Sequence, residues 1–209
     1  MRLLSFITVV LLAVAAPLVA EAPAETLGNA RVGFSAERVL ILNGKSYIGK
    51  MWHMPGQQRH EQALPALKAA FILRADSVVG DAVLPQLHTV VEFALPKELS
   101  LLGDPNLLRD PIGQEVVNGV PTTKYAIDAE IPAGHAVGSL WLSEDGIPMK
   151  CDAKVEASKG KVSTIHWELR HLEIGTQDAT LFEIPRGYAR LPPEAAASLL
   201  GIRLAHPAR

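Results

Sequence analysis

From Gly33 onward the apolar residues repeat with a period of two rather than 3.6, in short runs separated by turn residues at hairpin spacing. A strand sends successive side chains to opposite faces, so this pattern commits the chain to antiparallel sheet. Two Asn-Gly pairs, Asn43-Gly44 and Asn118-Gly119, stand between such runs. This dipeptide readily supplies the two positive-φ positions of a type I′ hairpin turn. The loose alternation of Phe34–Leu42 predicts a first strand ending at the first pair, and Lys45–Met54 a second. Pro55-Gly56 marks the next turn, after which 57–62 is a polar strand expected to keep much of its surface in water. Two further strands are predicted over 70–74 and 77–84, joined around Ala75-Asp76 and stopped by Pro85.

A second β block follows. The runs 115–117 and 122–130 flank Asn118-Gly119, and 138–142 runs through Ser143-Glu144-Asp145-Gly146 into a return strand over 147–157. That return places Met149, Cys151, Ala153 and Val155 on one face and Lys150, Asp152, Lys154 and Glu156 on the other. In the long strand predicted over 161–174, Ile165, Trp167 and Leu169 alternate with His166, Glu168 and Arg170. Between the blocks the alternation fails, and one or two short helices are expected over 86–102, interrupted by Pro96. Another short helix, with Pro193 in its first turn, is expected to run toward Leu204.

The amino terminus has a different character. Arg2 precedes an uncharged run over 3–16, Pro17 breaks it, and Ala20, Ala22 and Ala24 are the small residues of a cleavage region. This is the pattern of a secretory signal peptide over 1–24, cut after Ala20 or Ala24. A membrane-spanning helix needs roughly 20 apolar residues, and Pro17 and Glu21 shorten this stretch. The remaining 25–209 is of a length for a single domain, and the 48% hydrophobic residues of the whole sequence leave enough to build a core. The single cysteine, Cys151, is far from the signal region, so neither a lipid anchor there nor an intrachain disulfide is expected. As a lone thiol in an alternating strand it reads as a small buried hydrophobe. A net charge of −2 without like-charge runs argues against nucleic acid as a partner. The expected product is a soluble monomer outside the cytoplasm.

Seven histidines raise the question of catalysis or metal binding. The densest group, His166 to His171, is on a predicted strand where His166 and Glu168 share a face and His171 points away. His60-Glu61 are adjacent and so project to opposite faces. The sequence has no His-Glu-x-x-His, no paired Cys-x-x-Cys, no Gly-x-Ser-x-Gly and no phosphate-cradling glycine loop. No catalytic residue, metal or cofactor is expected, and a binding protein is favoured over an enzyme.

Several local patterns occur in a telling order: Tyr47, Gly49 and Trp52 in a Tyr-x-Gly-x-x-Trp arrangement, then Val117-Asn118-Gly119 ahead of Lys124-Tyr125. Trp141-Leu142-Ser143-Glu144-Asp145-Gly146-Ile147-Pro148 and Phe182-Glu183-Ile184-Pro185-Arg186-Gly187-Tyr188 follow. Together they resemble the LolA-like superfamily of periplasmic lipoprotein carriers and lipid-binding proteins. The resemblance implies a mainly β (α+β) fold: a single curved antiparallel sheet, an unclosed half-barrel, with short covering helices and an apolar concave face that takes acyl chains. It also implies periplasmic residence. The carrier of that superfamily uses an arginine to hold its lid shut, and Arg38, Arg59 and Arg74 all stand where such a residue could be.

A curved sheet with one apolar face must cover that face with its own helices or with a ligand, since large apolar patches are rare on monomers. Each buried methylene of an acyl chain contributes about 0.8 kcal/mol, so a lipid or lipoprotein acyl chain could be held with little polar recognition. The residues expected to line the groove are Leu40, Trp52, Phe71, Leu73, Leu140, Trp141, Trp167, Leu169 and Phe182. The 86–102 segment would act as a movable cover. The alternative is an envelope stress-sensing or protein-interaction module, with a membrane-surface or envelope protein as partner.

Overall fold

A computed structural model describes residues 30–63, 67–94, 111–131, 134–157, 160–192 and 195. The signal peptide expected over 1–24 lies outside them, as does all but Ala195 of the helix expected from Pro193.

Twelve strands form one sheet: β1 Phe34–Leu42, β2 Lys45–Met54, β3 Gln57–Ala63, β4 Lys68–Arg74, β5 Val79–Leu84, β6 Thr89–Ala94, β7 Pro111–Val117, β8 Val120–Ile131, β9 Gly134–Leu142, β10 Pro148–Glu156, β11 Val162–Ile174 and β12 Ala189–Leu191. Their spatial order is β12-β6-β5-β4-β3-β2-β1-β11-β10-β9-β8-β7. The sheet curves without closing, and β7 and β12 are its edges. Each block is a meander of neighbouring hairpins. The blocks join where β1 pairs with β11, antiparallel from Phe34↔Ile174 to Leu42↔Ile165. Only β12 runs parallel to its neighbour, β6.

Local chemistry accounts for the hairpins. Asn43 and Gly44 have φ of 48° and 80°, and Asn118 and Gly119 have 48° and 84°. These are the paired left-handed conformations that asparagine tolerates and glycine adopts freely. The strands over Phe34–Leu42 and Lys45–Met54 coincide with the expectation from sequence.

The expected helices over 86–102 are corrected as far as the described residues reach. Pro85–Leu87 forms a 3-10 turn, His88 closes it in the left-handed region, and Thr89–Ala94 is strand β6. Thr89, Val90 and Val91 are β-branched and pack better on a pleated surface than in a helix. Val90 and Val91 are both buried, on opposite faces, within different clusters. Residues 95–102 lie outside the described chain.

Strand pairing divides the side chains between two faces. The outer face of β3–β6 is covered by the chain itself: Ile184 and Tyr188 pack on Ala70, Ile72, Val83 and Val90. Arginines hold this cover down. Arg59 Nη1 donates to Leu181 O at 2.9 Å while its other nitrogens bind Glu61, and Arg74 donates to both Phe182 O and the buried Asp81. Arg190 also reaches Asp81, at 3.3 Å, and so fastens β12.

In the other block, the turn between β7 and β8 reaches past β9 and β10, and Asn118 Nδ2 donates to Leu169 O of β11 at 2.8 Å. This bond joins strands that a flat sheet would keep far apart, and it records the curl of the sheet. Asn118→Ala forces a residue with a β-carbon and no polar group into the left-handed region and removes the bond. The expected loss is about 1–3 kcal/mol, measured as a lowered urea midpoint with an unchanged slope.

Candidate functional site

The register places Phe34, Ala36, Arg38 and Leu40 of β1 on one face, opposite Leu169 and Trp167 on one side and His53, Met51, Gly49 and Tyr47 on the other. Carried across the sheet, that face gathers Leu73 and Phe71 from β4, Phe93 from β6, Cys151 from β10 and Leu140 from β9. It is the apolar face. Phe34 and Leu169 are completely buried there, and Phe71 meets Phe93 edge-on at 6.0 Å between ring centres. Burying such a side chain is worth roughly 1.5–3 kcal/mol, so this face carries much of the fold's stability.

Of the nine residues expected to line a groove, six share this face: Leu40, Phe71, Leu73, Leu140, Trp167 and Leu169. The other three do not. Trp52 pairs between Ser35 and Arg59 and borders an outer-face hollow of about 330 Å³ with Glu37, Lys50, His171 and Glu173. Trp141 lies between two ammonium groups, Lys124 Nζ at 4.7 Å and Lys150 Nζ at 4.4 Å from the ring centre. Its Nε1 donates to Glu115 Oε2 at 2.9 Å. That bond is the main reason the Glu115 carboxyl stays below its usual range, with Lys124 and Lys150 adding to it. Phe182 is buried in the 3-10 turn Ala179–Phe182, whose last carbonyls bind Arg59 and Arg74. Arg59 and Arg74 thus act on the outer face, and Arg38 alone of the three candidate arginines stands on the apolar one.

Cys151 is buried in the apolar cluster, as its place in the alternation suggested. Burial pushes its thiol up to about 12, with Asp152 adding to the shift and the Trp167 indole opposing it, which disfavours the thiolate.

Sequence reasoning missed a polar row within the apolar face. The strand over 57–62 was expected to be largely in water, yet Gln58 is buried, and His53 opposite it is completely so. His53 stacks on Phe34 and its Nε2 meets Ala30 O at 3.1 Å. His60 lies between Met51 and Phe71, its Nε2 3.1 Å from Gln58 Oε1. Gln62 accepts from Arg38 Nη2 at 3.1 Å. Three nitrogens in this row, Arg38 Nε, His53 Nδ1 and His60 Nδ1, are buried without a hydrogen-bond partner. Pairing through the Pro55-Gly56 turn was the available signal, since it sets Gln58 across from His53. Among the described residues no group of three or more His, Cys, Asp or Glu side chains is arranged to hold a metal ion.

No protein-family model matches the chain, and no curated protein matches it. Solved structures do. An uncharacterized conserved protein from Thermus thermophilus is 12% identical, with 78% of this chain and 92% of that chain covered and a TM-score of 0.53. A chain of the MucA/MucB complex from Pseudomonas aeruginosa is 20% identical over 75% of this chain and 56% of that one, at 0.45. This chain therefore spans little more than half of that one. A LolA superfamily protein from Nitrosomonas europaea is 8% identical over 78% and 98%, at 0.41. The Thermus structure shares the fold. These are likenesses of fold.

The polar row makes stability depend on pH. Burial, then the charges of Arg38 and His53, lower the His60 pKa to about 3. Burial also lowers that of His53, against the pull of the Ala30 carbonyl. Because the folded values lie below the ordinary 6.5, the unfolded chain takes up these protons first. The stability held above pH 6.5 is lost as pH falls toward 3, at up to about 1.4 kcal/mol per pH unit for each proton. His60→Gln should reduce the fall in urea midpoint between pH 6.5 and 4; an unchanged fall would exclude His60 as its source.

Proposed function

We propose that this protein is a periplasmic, LolA-like half-barrel that binds an apolar ligand, the acyl chain of a lipid or lipoprotein, on its apolar face. The observation that carries this reading is the unequal treatment of the two faces. The outer face of β3–β6 is covered by the chain's own Ile184 and Tyr188 and clamped by arginines. On the apolar face, large side chains continue from β4 through β1 to β9, and among the described residues no helix of seven or more residues lies against them. Such an apolar lining, most of it buried, suits a ligand made of methylenes. The role is binding rather than catalysis, consistent with a buried thiol and with burial that disfavours the charged forms of His53 and His60. Among the described residues no helix is long and apolar enough to cross a membrane.

A second reading, a protein-interaction module, draws on the edge strand β7. Ile112 and Val116 are 56% and 70% exposed along it, and an unpaired strand edge can accept an extended peptide. In this reading the partner is an envelope protein that adds a strand to β7.

Lipid extraction from the purified protein followed by mass spectrometry tests the first reading directly. Phe71→Asp, on the apolar face but only partly buried, should reduce uptake of a fluorescent fatty acid on the order of tenfold, given about 1.4 kcal/mol or more of lost contact. Trp141→Phe, on the other face, should leave uptake unchanged. A wild-type protein that yields no lipid and takes up none would overturn the proposal.

A further inference from the structure

The apolar face contains a positive charge with no acidic partner among the described residues. Arg38 stands in the middle of β1, between Leu169 of β11 and Gly49 of β2, and Gly49 has no side chain to cover it. Its Nη2 donates to the neutral Gln62 Oε1, while its Nε–H is buried with no hydrogen-bond partner. The carboxylates that adjoin it in register belong to the other face and are engaged there. Glu61 pairs with Arg59, Glu168 with Arg170, and Glu37 stands by His171.

Buried guanidinium groups ordinarily have carboxylate or phosphate partners, and a buried donor left unpaired is rare in native proteins. Burial by itself depresses the Arg38 pKa, the direction expected of a cation without a counter-ion. The contrast with Arg59 and Arg74 is internal to the molecule. Both of those bind a carboxylate and a backbone carbonyl.

We propose that the ligand of the apolar face is a single-chain amphiphile with a small anionic head group, a carboxylate or phosphate monoester, and that Arg38 binds that head group. The inference rests on the reading that this face takes an acyl chain. Gln62 orients the guanidinium by accepting from Nη2, which leaves the Nε edge to receive an oxyanion in the planar geometry that arginine favours. The chain of the amphiphile then runs over Trp167, Leu169 and Met51 beside Arg38 and toward Phe71 two strands beyond Met51 on the same face. The anion supplies the counter-charge that the described residues omit.

The test uses the mature protein and three probes with the same hydrocarbon chain: oleate, oleyl phosphate and oleyl alcohol. Calorimetric titration should show one or both anions binding at least about tenfold tighter than the alcohol, as one charge-assisted pair predicts, and the tighter anion identifies the head group. Arg38→Gln should reduce the anions to the affinity of the alcohol and leave the alcohol unchanged. Should that variant fail to fold, the wild-type thermal shift decides, with the tighter anion expected to raise the melting temperature well above the effect of the alcohol. Binding of both anions no tighter than the alcohol, or wild-type affinity for the tighter anion in Arg38→Gln, would overturn the head-group inference while leaving acyl binding in place. Binding of none of the three would defeat the acyl-binding reading itself.

Discussion

The two-sided pairing of β1 is the constraint on which the rest of the molecule depends. β2 joins it through a tight turn, whereas β11 comes from more than a hundred residues along the chain. Because the side-chain period of a strand is two, a single-residue slip in the β1–β11 register would exchange the faces of one whole block. The register includes an irregularity between Ser35 and Glu37, where β11 has an extra residue and His171 takes a φ of 49°. That bulge sets Ile174, and not Glu173, opposite Phe34. The apolar face is continuous across both blocks through the uninterrupted pairs Arg38↔Leu169 and Leu40↔Trp167.

Much of this was legible in the sequence, because the information was local. Asn43-Gly44 and Asn118-Gly119 determined their turns chemically, and Met149, Cys151 and Val155 were read correctly as one buried row. What was not legible has two causes. The bulges and the β1–β11 register depend on contacts between distant segments, which no short window contains. The choice of groove residues by size was a different kind of error. Leu140 and Trp141 are neighbours on one strand and must face opposite ways, so at most one could line the groove. The same rule that separated His60 from Glu61 would have separated them. At Thr89–Ala94, nearby prolines and the loss of alternation suggested helix, while β-branched residues buried on both faces formed a strand.

The positions of the polar groups distinguish structural work from recognition. On the outer face every arginine discussed closes a local circuit: Arg59 and Arg74 each bind a carboxylate and a turn carbonyl, and Asp81 is shared by Arg74 and Arg190. Such circuits fasten the chain's own cover and need nothing further. The row over Arg38, His53 and His60 is different, because its members leave buried nitrogens unpaired within a hydrophobic surface. Replacing that row with aliphatic residues would remove buried polar cost without disturbing the strand pairing, since side chains and not backbone are involved.

A polar row that weakens the apoprotein has a consequence for binding. A purely apolar face would retain any acyl chain by area alone, with affinity rising by each methylene and little basis for choosing among head groups. An uncompensated cation in that face lowers the stability of the empty state and is relieved only by a ligand that brings negative charge. Selectivity then comes from a difference between states and not from added contact area. The same placement limits how tightly neutral chains are held, because they bury Arg38 further without neutralising it. Release and capture of an anionic amphiphile would therefore be governed by one side chain at the centre of the sheet, on the strand that joins its two halves.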